Sequence, residues 1–491
     1  MKYLLGIDFG GGASKAALLG TDGVIAAGHT VEYPTFYPAQ GYAEQNPSDW
    51  YEAVKSNISA LLQMSGISAS DILAVCLDAA THTAVLMDKD FHVVRPAIYW
   101  TDSRSIHECA YLKEKHQELI LRTALHTADT IWTLPQLMWV RDHEPAVWEK
   151  TKKILFAKDY IRYLLTGEYC TDYIEAEGSM LFDYHTMAWS AELCGILGFD
   201  PGRLPLVIKP ADIAGRITKK AAEETGLREG TKVICGTTDT AMEVFASGAV
   251  KRGQMTVKLA TAGRICVVAD RAYPDRNLVN YSHVAEGLWY PGTATKSCAA
   301  SYRWYRDTFG GEYGELDREA EKIPVGCEGL IFSPYLNGEL TPYADPKLCG
   351  SFTGVRAGHG KAHFSRAVLE GVALSLLDCK KTLERIGIPH EAEATIIGGG
   401  SGSRLWRQIV ADALGISLRQ TGNSDSSLGS AMLAGVAAGV FGGFESAVEK
   451  CRKVVSMTVP VRDNTKRYAE IFEVYKEIHD ALAPIYAKRK P

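Results

Sequence analysis

The first twenty residues decide how this chain is interpreted: Tyr3-Leu-Leu-Gly-Ile-Asp8-Phe-Gly10-Gly-Gly12-Ala-Ser-Lys15-Ala-Ala-Leu-Leu19. An apolar run ends at the carboxylate of Asp8, three glycines follow, and a second apolar run begins around Lys15. Two strands joined by glycines let backbone N–H groups point into the turn, which makes a cradle for an anion. A carboxylate at its edge can hold Mg²⁺, directly or through water. An ordinary hairpin with a glycine turn is the alternative at this stage.

Length and composition predict a globular protein of more than one domain. A chain of 491 residues is too long for a single core. Its 46% hydrophobic and 23% charged residues are typical of soluble globular proteins. The net charge of −5 gives no electrostatic reason to expect nucleic acid or an anionic membrane as a partner.

Cysteine usage and the apolar pattern predict a cytoplasmic location. The eleven cysteines show no CxxC spacing, and several lie inside apolar runs, which indicates reduced and buried thiols. The sequence begins with a predicted strand and not with a basic region and a cleavage site. No apolar run approaches the ~20 residues of a membrane helix. We therefore expect no membrane partner.

A second stretch repeats the design of the first twenty residues. Met255–Leu259, the small residues 260–263 and the segment Arg264-Ile-Cys-Val-Val268 predict a strand, a turn and another strand. This similarity predicts an α/β protein with two related halves, each offering a turn to the same ligand. We place the domain boundary near residue 243, which gives domains 1–243 and 244–491. The last predicted helix, about 466–488, can pack back on the first domain.

Carboxylates end three predicted buried strands, at Asp8, Asp78 and Asp239. This is the end of a strand at which α/β folds place their ligands. Asp239 is the strongest candidate for catalysis, because Gly236-Thr-Thr-Asp239 precedes a helix of small residues that permits close approach. In that position it can take a proton from a hydroxyl group. The alternative is that Asp239 only caps the helix.

The run Gly398-Gly-Gly400-Ser-Gly402-Ser403 lies between a predicted strand and a helix, as a nucleotide-binding turn does. It is similar to the dinucleotide pattern GxGxxG but ends in serine, and Asp425 is the acidic residue nearest the expected ribose position. A dinucleotide site therefore stays open as an alternative. A Walker A loop is excluded, because no Gly-Lys-Ser/Thr occurs and Lys15 opens a strand.

Two further segments are weaker candidates for binding a sugar. His82 lies between two strand segments and follows Asp78, although lone histidines are usually structural. The segment Trp100-Thr-Asp102-Ser-Arg104 combines an aromatic wall, a carboxylate and a guanidinium, a mixture that suits polyol recognition. A core tryptophan beside a surface ion pair is the alternative.

The chain resembles the FGGY carbohydrate kinases, sugar kinases of the actin–hexokinase superfamily, along nearly its whole length. The most specific match is Gly350-Ser-Phe-Thr-Gly354-Val355, followed after seven residues by His363-Phe-Ser-Arg-Ala-Val-Leu-Glu-Gly371, similar to the family's C-terminal signature. Supporting matches are Gly41-Tyr-Ala-Glu-Gln-Asn-Pro47, Arg95-Pro-Ala-Ile-Tyr-Trp-Thr-Asp-Ser-Arg104, Thr171-Asp172, Pro334-Tyr-Leu-Asn-Gly-Glu-Leu-Thr-Pro342 and Gly398-Gly-Gly400. Within the family the chain is most similar to xylulokinases.

The resemblance implies two actin/hexokinase-like (ribonuclease H-like) domains with a central cleft. It also implies transfer of the γ-phosphoryl group of MgATP to a sugar hydroxyl. By matched position, Asp239 would be the general base and Asp8 would hold Mg²⁺ through water. The positions that would bind ATP are Gly10, Gly11, Gly12, Lys15, Thr261, Gly263, Gly399, Gly400 and Ser403. Those that would contact the sugar are His82, Trp100, Asp239 and Thr240.

The acceptor implied by the resemblance is a ketopentose such as xylulose, which would be phosphorylated to its 5-phosphate. The chain departs from the family pattern at Gly11-Gly12-Ala13, where hydroxyl residues are usual, and at Ala79-Ala80-Thr81, where Gly-Gln-Met is usual. Other acceptors of the family therefore stay open: L-ribulose, L-fuculose, L-xylulose, glycerol, erythritol and gluconate. A non-catalytic sensor of sugar or nucleotide is the alternative from another class. A homodimer would be unsurprising.

Overall fold

Strands and helices alternate along the chain in the computed structural model, which describes residues 1–488. The strands are β1 (Tyr3–Phe9), β2 (Ala13–Gly20), β3 (Ile25–Glu32), β4 (Glu44–Gln45), β5 (Ile72–Ala79), β6 (Ala84–Met87), β7 (Ala97–Ile98), β8 (Lys153–Phe156), β9 (Cys170–Asp172), β10 (Phe182–Asp183), β11 (Ala188–Trp189), β12 (Leu206–Ile208), β13 (Ile213–Arg216), β14 (Lys232–Thr238), β15 (Met255–Leu259), β16 (Gly263–Val267), β17 (Gly292–Thr295), β18 (Ile331–Ser333), β19 (Ser351–Thr353), β20 (Glu393–Ile397), β21 (Ser417–Thr421) and β22 (Val454–Thr458).

The α-helices pack on the sheets and connect them. They are α1 (Pro47–Ser65), α2 (Ile106–Lys115), α3 (Gln117–Ala124), α4 (Thr133–His143), α5 (Pro145–Lys150), α6 (Ala157–Thr166), α7 (Tyr173–Gly178), α8 (Ala191–Leu197), α9 (Lys219–Thr225), α10 (Asp239–Ala246), α11 (Ala299–Phe309), α12 (Tyr313–Glu321), α13 (Lys361–Ile386), α14 (Arg404–Leu414), α15 (Ser426–Ala437), α16 (Phe444–Cys451) and α17 (Arg462–Tyr486). No helix within residues 1–488 has the length and apolarity needed to cross a membrane.

Two six-stranded sheets share one strand arrangement, with the orders β13-β14-β5-β1-β2-β3 and β17-β16-β15-β20-β21-β22. In the first sheet β1, β2 and β3 form an antiparallel meander, and β5 and β14 continue it in parallel. In the second sheet β15, β16 and β17 form the meander, and β20 and β21 continue it in parallel. The prediction of two similar halves is confirmed.

Strand β1 is buried on both faces, which explains why its sequence is almost continuously apolar. Helix α1 covers one face, with Trp50 and Val54 buried in the same core cluster as Ile7. Helix α15 contributes Leu428 and Ala431 to the cluster that holds Leu4. The strand that carries Asp8 is thus fixed between two helices from distant parts of the chain.

Helix α15 approaches β1 at Gly6. A Cβ atom on Gly6 would lie 2.0 Å from the carbonyl oxygen of Ser427 and 2.5 Å from the backbone nitrogen of Ala431. Strand and helix backbones are therefore in direct contact at this point. A helix from the second half of the sequence is packed tightly against the first sheet.

The expectation that the last helix packs back on the first domain is corrected. Helix α17 packs on α13, α14 and β18, and its buried residues Tyr468, Phe472 and Tyr475 belong to the core of the second sheet. The physical reason is that α17 has a single apolar stripe, and packing on one surface of the second domain buries it. The helix from the second half that packs on the first sheet is α15, which contacts β1, β2 and β5. Nearly all its residues are buried. The boundary near residue 243 lies inside α10 and stays a prediction.

The contact between Gly6 and α15 predicts a selective effect of an added methyl group. Gly6→Ala forces the strand and the helix apart, so we expect a loss of about 1–3 kcal/mol of stability or more and a lower thermal unfolding midpoint. Gly28→Ala, in β3 of the same sheet, is the matched control, because its Cβ would lie 3.7 Å from the nearest atom, the carbonyl oxygen of Ala16. Equal midpoints for the two variants would contradict the packing described.

Candidate active site

Acidic side chains from three chain segments lie together at one end of the first sheet. Asp8 of β1 is directly opposite Asp78 of β5 in the parallel register, and Asp78 is opposite Thr237 of β14. Asp239 follows two residues later as the first residue of α10. The structure thus brings Asp8, Asp78 and Asp239 to the same edge of the sheet.

Burial and mutual repulsion favour protonation of the neighbouring carboxyls Asp8 and Asp78. Burial, followed by the charge of Asp239, raises the pKa of Asp8 to about 7. Burial, followed by the charge of Asp8, raises the pKa of Asp78 well above its ordinary value. The hydroxyl of Ser430 in α15 donates to Asp78 Oδ2 at 2.5 Å, whereas Asp8 Oδ1 is buried without a hydrogen-bond partner in residues 1–488. Crowded oxygen donors of this kind fit a hard divalent cation.

Asp239 does not cap the helix that it begins, so that alternative is wrong. Thr238 is the N-cap, and its hydroxyl accepts the backbone N–H of Ala241. The backbone N–H of Thr240 donates to Asp239 Oδ1 at 2.6 Å. Within the described chain Oδ2 has no hydrogen bond, which leaves it available to a substrate. Burial, with repulsion from Glu243 next, raises the pKa of Asp239 to about 6.

The loop of three glycines is fixed through its carbonyl groups. The Tyr33 hydroxyl donates to the carbonyl of Gly10 at 2.5 Å, and Gln45 Nε2 donates to the carbonyl of Gly11 at 2.8 Å. Over residues 1–488 the N–H groups of Gly11 and Gly12 make no backbone hydrogen bond. The carbonyls of this loop are thus hydrogen-bonded to the protein, while its N–H groups stay available. Such N–H groups can bind an anion.

Two side chains border this loop. Lys15 is directly opposite Asp8 on β2, is exposed, and partly offsets the raised pKa of Asp8 by its charge. A Cβ on Gly11 would lie 2.6 Å from the hydroxyl of Tyr99. Tyr99 accepts a hydrogen bond from Trp100 Nε1 at 2.5 Å, and Trp100 is 41% exposed. The predicted sugar contact Trp100 is therefore linked to the glycine loop through Tyr99.

A cavity of about 640 Å³ lies in the second half of the protein. Its size is within the range of small-molecule sites. Four predicted ATP-binding residues line it: Thr261, Gly399, Gly400 and Ser403. Leu259, Ala260 and Gly402, from the two segments that the sequence singled out, also line it. The remaining lining residues, which the sequence did not indicate, are Ala299, Tyr302, Arg303, Tyr313, Asp317 and Trp406.

Several residues around this cavity have structural tasks. The Ser403 hydroxyl caps α14 by accepting the backbone N–H of Trp406 at 3.1 Å. Gly263 does not line the cavity; it is buried, and a Cβ there would lie 2.7 Å from Thr295 Cγ2. Asp425 caps α15 and is not part of the cavity wall either. The dinucleotide alternative thus lacks its ribose-binding acid.

His82 lies in a buried wall between the two halves. Its Nε2 is 2.6 Å from the Tyr281 hydroxyl, and its backbone N–H donates to Glu175 Oε1 at 2.7 Å. Its ring is stacked on Tyr281 with centroids 5.6 Å apart. Burial lowers the pKa of His82 to about 3, so the imidazole is neutral. Glu175 also contributes to the electrostatic environment of Asp239, which connects this wall with the carboxylates.

Comparison with known proteins identifies the family. The N-terminal domain model of the FGGY family of carbohydrate kinases matches residues 3–246, and the C-terminal domain model matches residues 232–438. The xylulose kinase of Bacillus subtilis is 31% identical over 484 residues, covering 98% of this chain and 97% of that protein.

Solved structures agree with this result. The crystal structure of xylulose kinase from Rhodospirillum rubrum is 27% identical, with a TM-score of 0.92 over 99% of this chain and 100% of that chain. The crystal structure of gluconate kinase from Lactobacillus acidophilus is 25% identical, with a TM-score of 0.93 over 99% of both chains.

This chain belongs to the FGGY family of carbohydrate kinases. Its α/β fold consists of two actin/hexokinase-like domains, and it is a sugar kinase that uses ATP. The predictions of the family, the fold class and the reaction class are confirmed. The roles of individual site residues stay predictions.

Proposed function

We propose that the protein transfers the γ-phosphoryl group of MgATP to a hydroxyl of a small open-chain sugar. A ketopentose such as xylulose, giving the sugar 5-phosphate, is the acceptor that the activities of its relatives support first. The observation that carries the proposal is the convergence of Asp8, Asp78 and Asp239 at the end of one sheet. Phosphoryl transfer needs positioned reactants and neutralised charge more than covalent chemistry, and this arrangement provides for both.

Asp239 acts as the general base in this proposal. Its Oδ2 receives the proton of the acceptor hydroxyl while that oxygen attacks the γ-phosphorus. Thr240 keeps the carboxylate oriented through its backbone N–H, which donates to Oδ1. Lys258 limits the rise in the pKa of Asp239, so the base is ionised at neutral pH.

The phosphates of ATP lie between the glycine loop and the second turn. The N–H groups of Gly11 and Gly12, together with Lys15, bind them from the first domain. Thr261 binds them from the second, with Gly263 supporting the turn. The nucleoside occupies the cavity beside Gly399, Gly400 and Ser403, and Trp406 and Tyr302 supply apolar walls.

Mg²⁺ fits the donor set at Asp8. The unpartnered Oδ1 of Asp8 and the neighbouring Asp78 offer the oxygen ligands that this cation prefers. When bound there, Mg²⁺ neutralises charge between the phosphates and the acidic side chains. Asp8 holds it through water in this proposal.

The acceptor lies between Asp239, Thr240, His82 and Trp100. The neutral ring of His82 can exchange hydrogen bonds with hydroxyl groups, and Trp100 offers an aromatic face. Small molecules are the only partners we propose, without nucleic acid or membrane. A cytoplasmic location is supported by the burial of nine of the eleven cysteines, and a homodimer stays a prediction.

Removal of the base tests the central role. Asp239→Asn should lower kcat by about 10²–10⁴-fold, because an amide cannot take the proton, while MgATP binding measured by calorimetry is retained. Asp307→Asn is the matched control, since this exposed carboxylate pairs only with its neighbour Arg306 among the described residues. Unchanged turnover of a folded Asp239→Asn protein would refute the assignment.

The pH profile tests the ionisation of the same group. Asp239 has to be ionised to act as a base, so kcat/KM for the acceptor should fall about tenfold per pH unit below a pKa near 6. The measurement uses saturating MgATP, because bound cation keeps Asp8 ionised and removes its titration from the profile. A flat profile from pH 5 to 8 would contradict the proposed base.

A further inference from the structure

Arg264 lies on the side of the second sheet that faces the proposed base. It is the second residue of β16 and the cross-strand partner of Lys258 on β15. Directly opposed residues of an antiparallel pair project from the same face. Lys258 Nζ contacts Glu243 at 2.5 Å, and Glu243 lies one helical turn after Asp239 in α10. Arg264 therefore belongs to the face that packs toward the start of α10.

The guanidinium of Arg264 has no acidic partner within residues 1–488. Its Nε and Nη2 atoms are buried without a hydrogen-bond partner, and the weakly accepting thiol of Cys266 is nearby. Two buried arginines differ from it in being paired with acids: Arg104 with Asp102 and Arg366 with Glu370. A buried cation without a counter-charge is costly unless a ligand supplies the missing acceptors.

Aromatic rings hold Arg264 in place. Its Cζ lies 5.8 Å from the ring centroid of Tyr281 and 5.7 Å from that of Tyr290. Tyr281 also contacts His82, which the sequence assigned to the sugar site. The unpaired guanidinium and the predicted sugar-binding histidine thus lie on one aromatic cluster.

His126 adds a second unpartnered polar side chain to this cluster. It is 1% exposed, and both its ring nitrogens lack a hydrogen-bond partner in the part of the chain that the structure describes. Its ring is stacked on Trp132 at 4.2 Å and lies 5.3 Å from Tyr281. A buried imidazole without partners is suited to hydroxyl groups of a ligand.

The acids around the cluster do not neutralise Arg264. Burial raises the pKa of Glu175 and that of Glu177 to about 8, so both carry protons at neutral pH. Glu243 is engaged by Lys258. Glu243 acts on Arg264 only through its charge at longer range, and within residues 1–488 no carboxylate forms an ion pair with the guanidinium.

We propose that Arg264 binds a carboxylate of the acceptor, so that the substrate is a sugar acid of the aldonate or ketoaldonate class. The guanidinium offers paired N–H donors that match the two oxygens of a carboxylate. His126 binds a hydroxyl of the same molecule. This inference rests on the proposed function and refines the acceptor from a neutral ketopentose to an acid of similar size.

Matched pairs of acceptors test the inference. ADP release is measured with D-gluconate and sorbitol, with D-xylonate and xylitol, with the 2-keto acids of both chain lengths, and with D-xylulose. Each aldonate differs from its alditol only by a carboxylate in place of a hydroxymethyl group. We expect kcat/KM for at least one acid to exceed that for its neutral partner by about a hundredfold or more.

Substitution of Arg264 distinguishes the loss of carboxylate recognition from a general loss of kinase activity. Arg264→Met should lower kcat/KM for the preferred acid about a hundredfold or more and change that for neutral acceptors only a few-fold, while Arg264→Lys restores part of the activity. Arg271→Met is the matched control, because Arg271 is exposed and its guanidinium lies on another tyrosine ring, 4.9 Å from that of Tyr273. It should leave all acceptors unaffected.

Two results would overturn the inference and leave the kinase reaction intact: preference for D-xylulose or an alditol over every acid, or an equal loss of both classes in Arg264→Met. If the wild type phosphorylates none of these acceptors, the proposed function fails instead. In that case calorimetry of the same acids with ADP still decides the role of Arg264. If the wild type binds an acid and Arg264→Met does not, the role of Arg264 is supported. If no acid binds to the wild type, that role is contradicted.

Discussion

The crowding of buried carboxyl groups at the end of the first sheet is the constraint on which the rest of the structure depends. Parallel pairing of β1 with β5 puts Asp8 beside Asp78, and the turn into α10 adds Asp239. Such a group is unfavourable in a protein interior unless protons or a cation balance it. The surrounding fold fixes this arrangement: Ser430 from α15 donates to Asp78, and Gly6 lets that helix approach β1 closely.

The repeated sheet explains how the proposed reaction centre can receive contributions from both halves of the chain. Each half opens with an antiparallel pair whose turn is made of small residues, at 10–12 and at 260–262. The first turn adjoins the carboxylates, and the second adjoins the cavity proposed for the nucleotide. Lys258, on β15 of the second sheet, pairs with Glu243 beside the proposed base. In the proposed mechanism, charge for the chemistry and space for the nucleotide are thus supplied by different domains.

Local patterns were sufficient to predict the glycine loop and the strands that lead to Asp8, Asp78 and Asp239, because burial and turn formation depend on neighbouring residues. The sequence could not predict that α15 rather than α17 packs on the first sheet, since both helices have apolar residues and their partners are distant in the chain. It also could not show that Gly263 serves close packing at Thr295. The missing counter-charge of Arg264 is a property of its neighbours in space, so no motif indicated it.

The most direct test of the account is ³¹P NMR of the protein with MgATP and the panel of sugars and sugar acids. A new sugar phosphate ester resonance should grow in proportion to ADP, because Asp239 is proposed to activate the acceptor hydroxyl and water is a poor competitor. ADP accompanied only by inorganic phosphate, or no consumption of bound ATP with any acceptor, would contradict it.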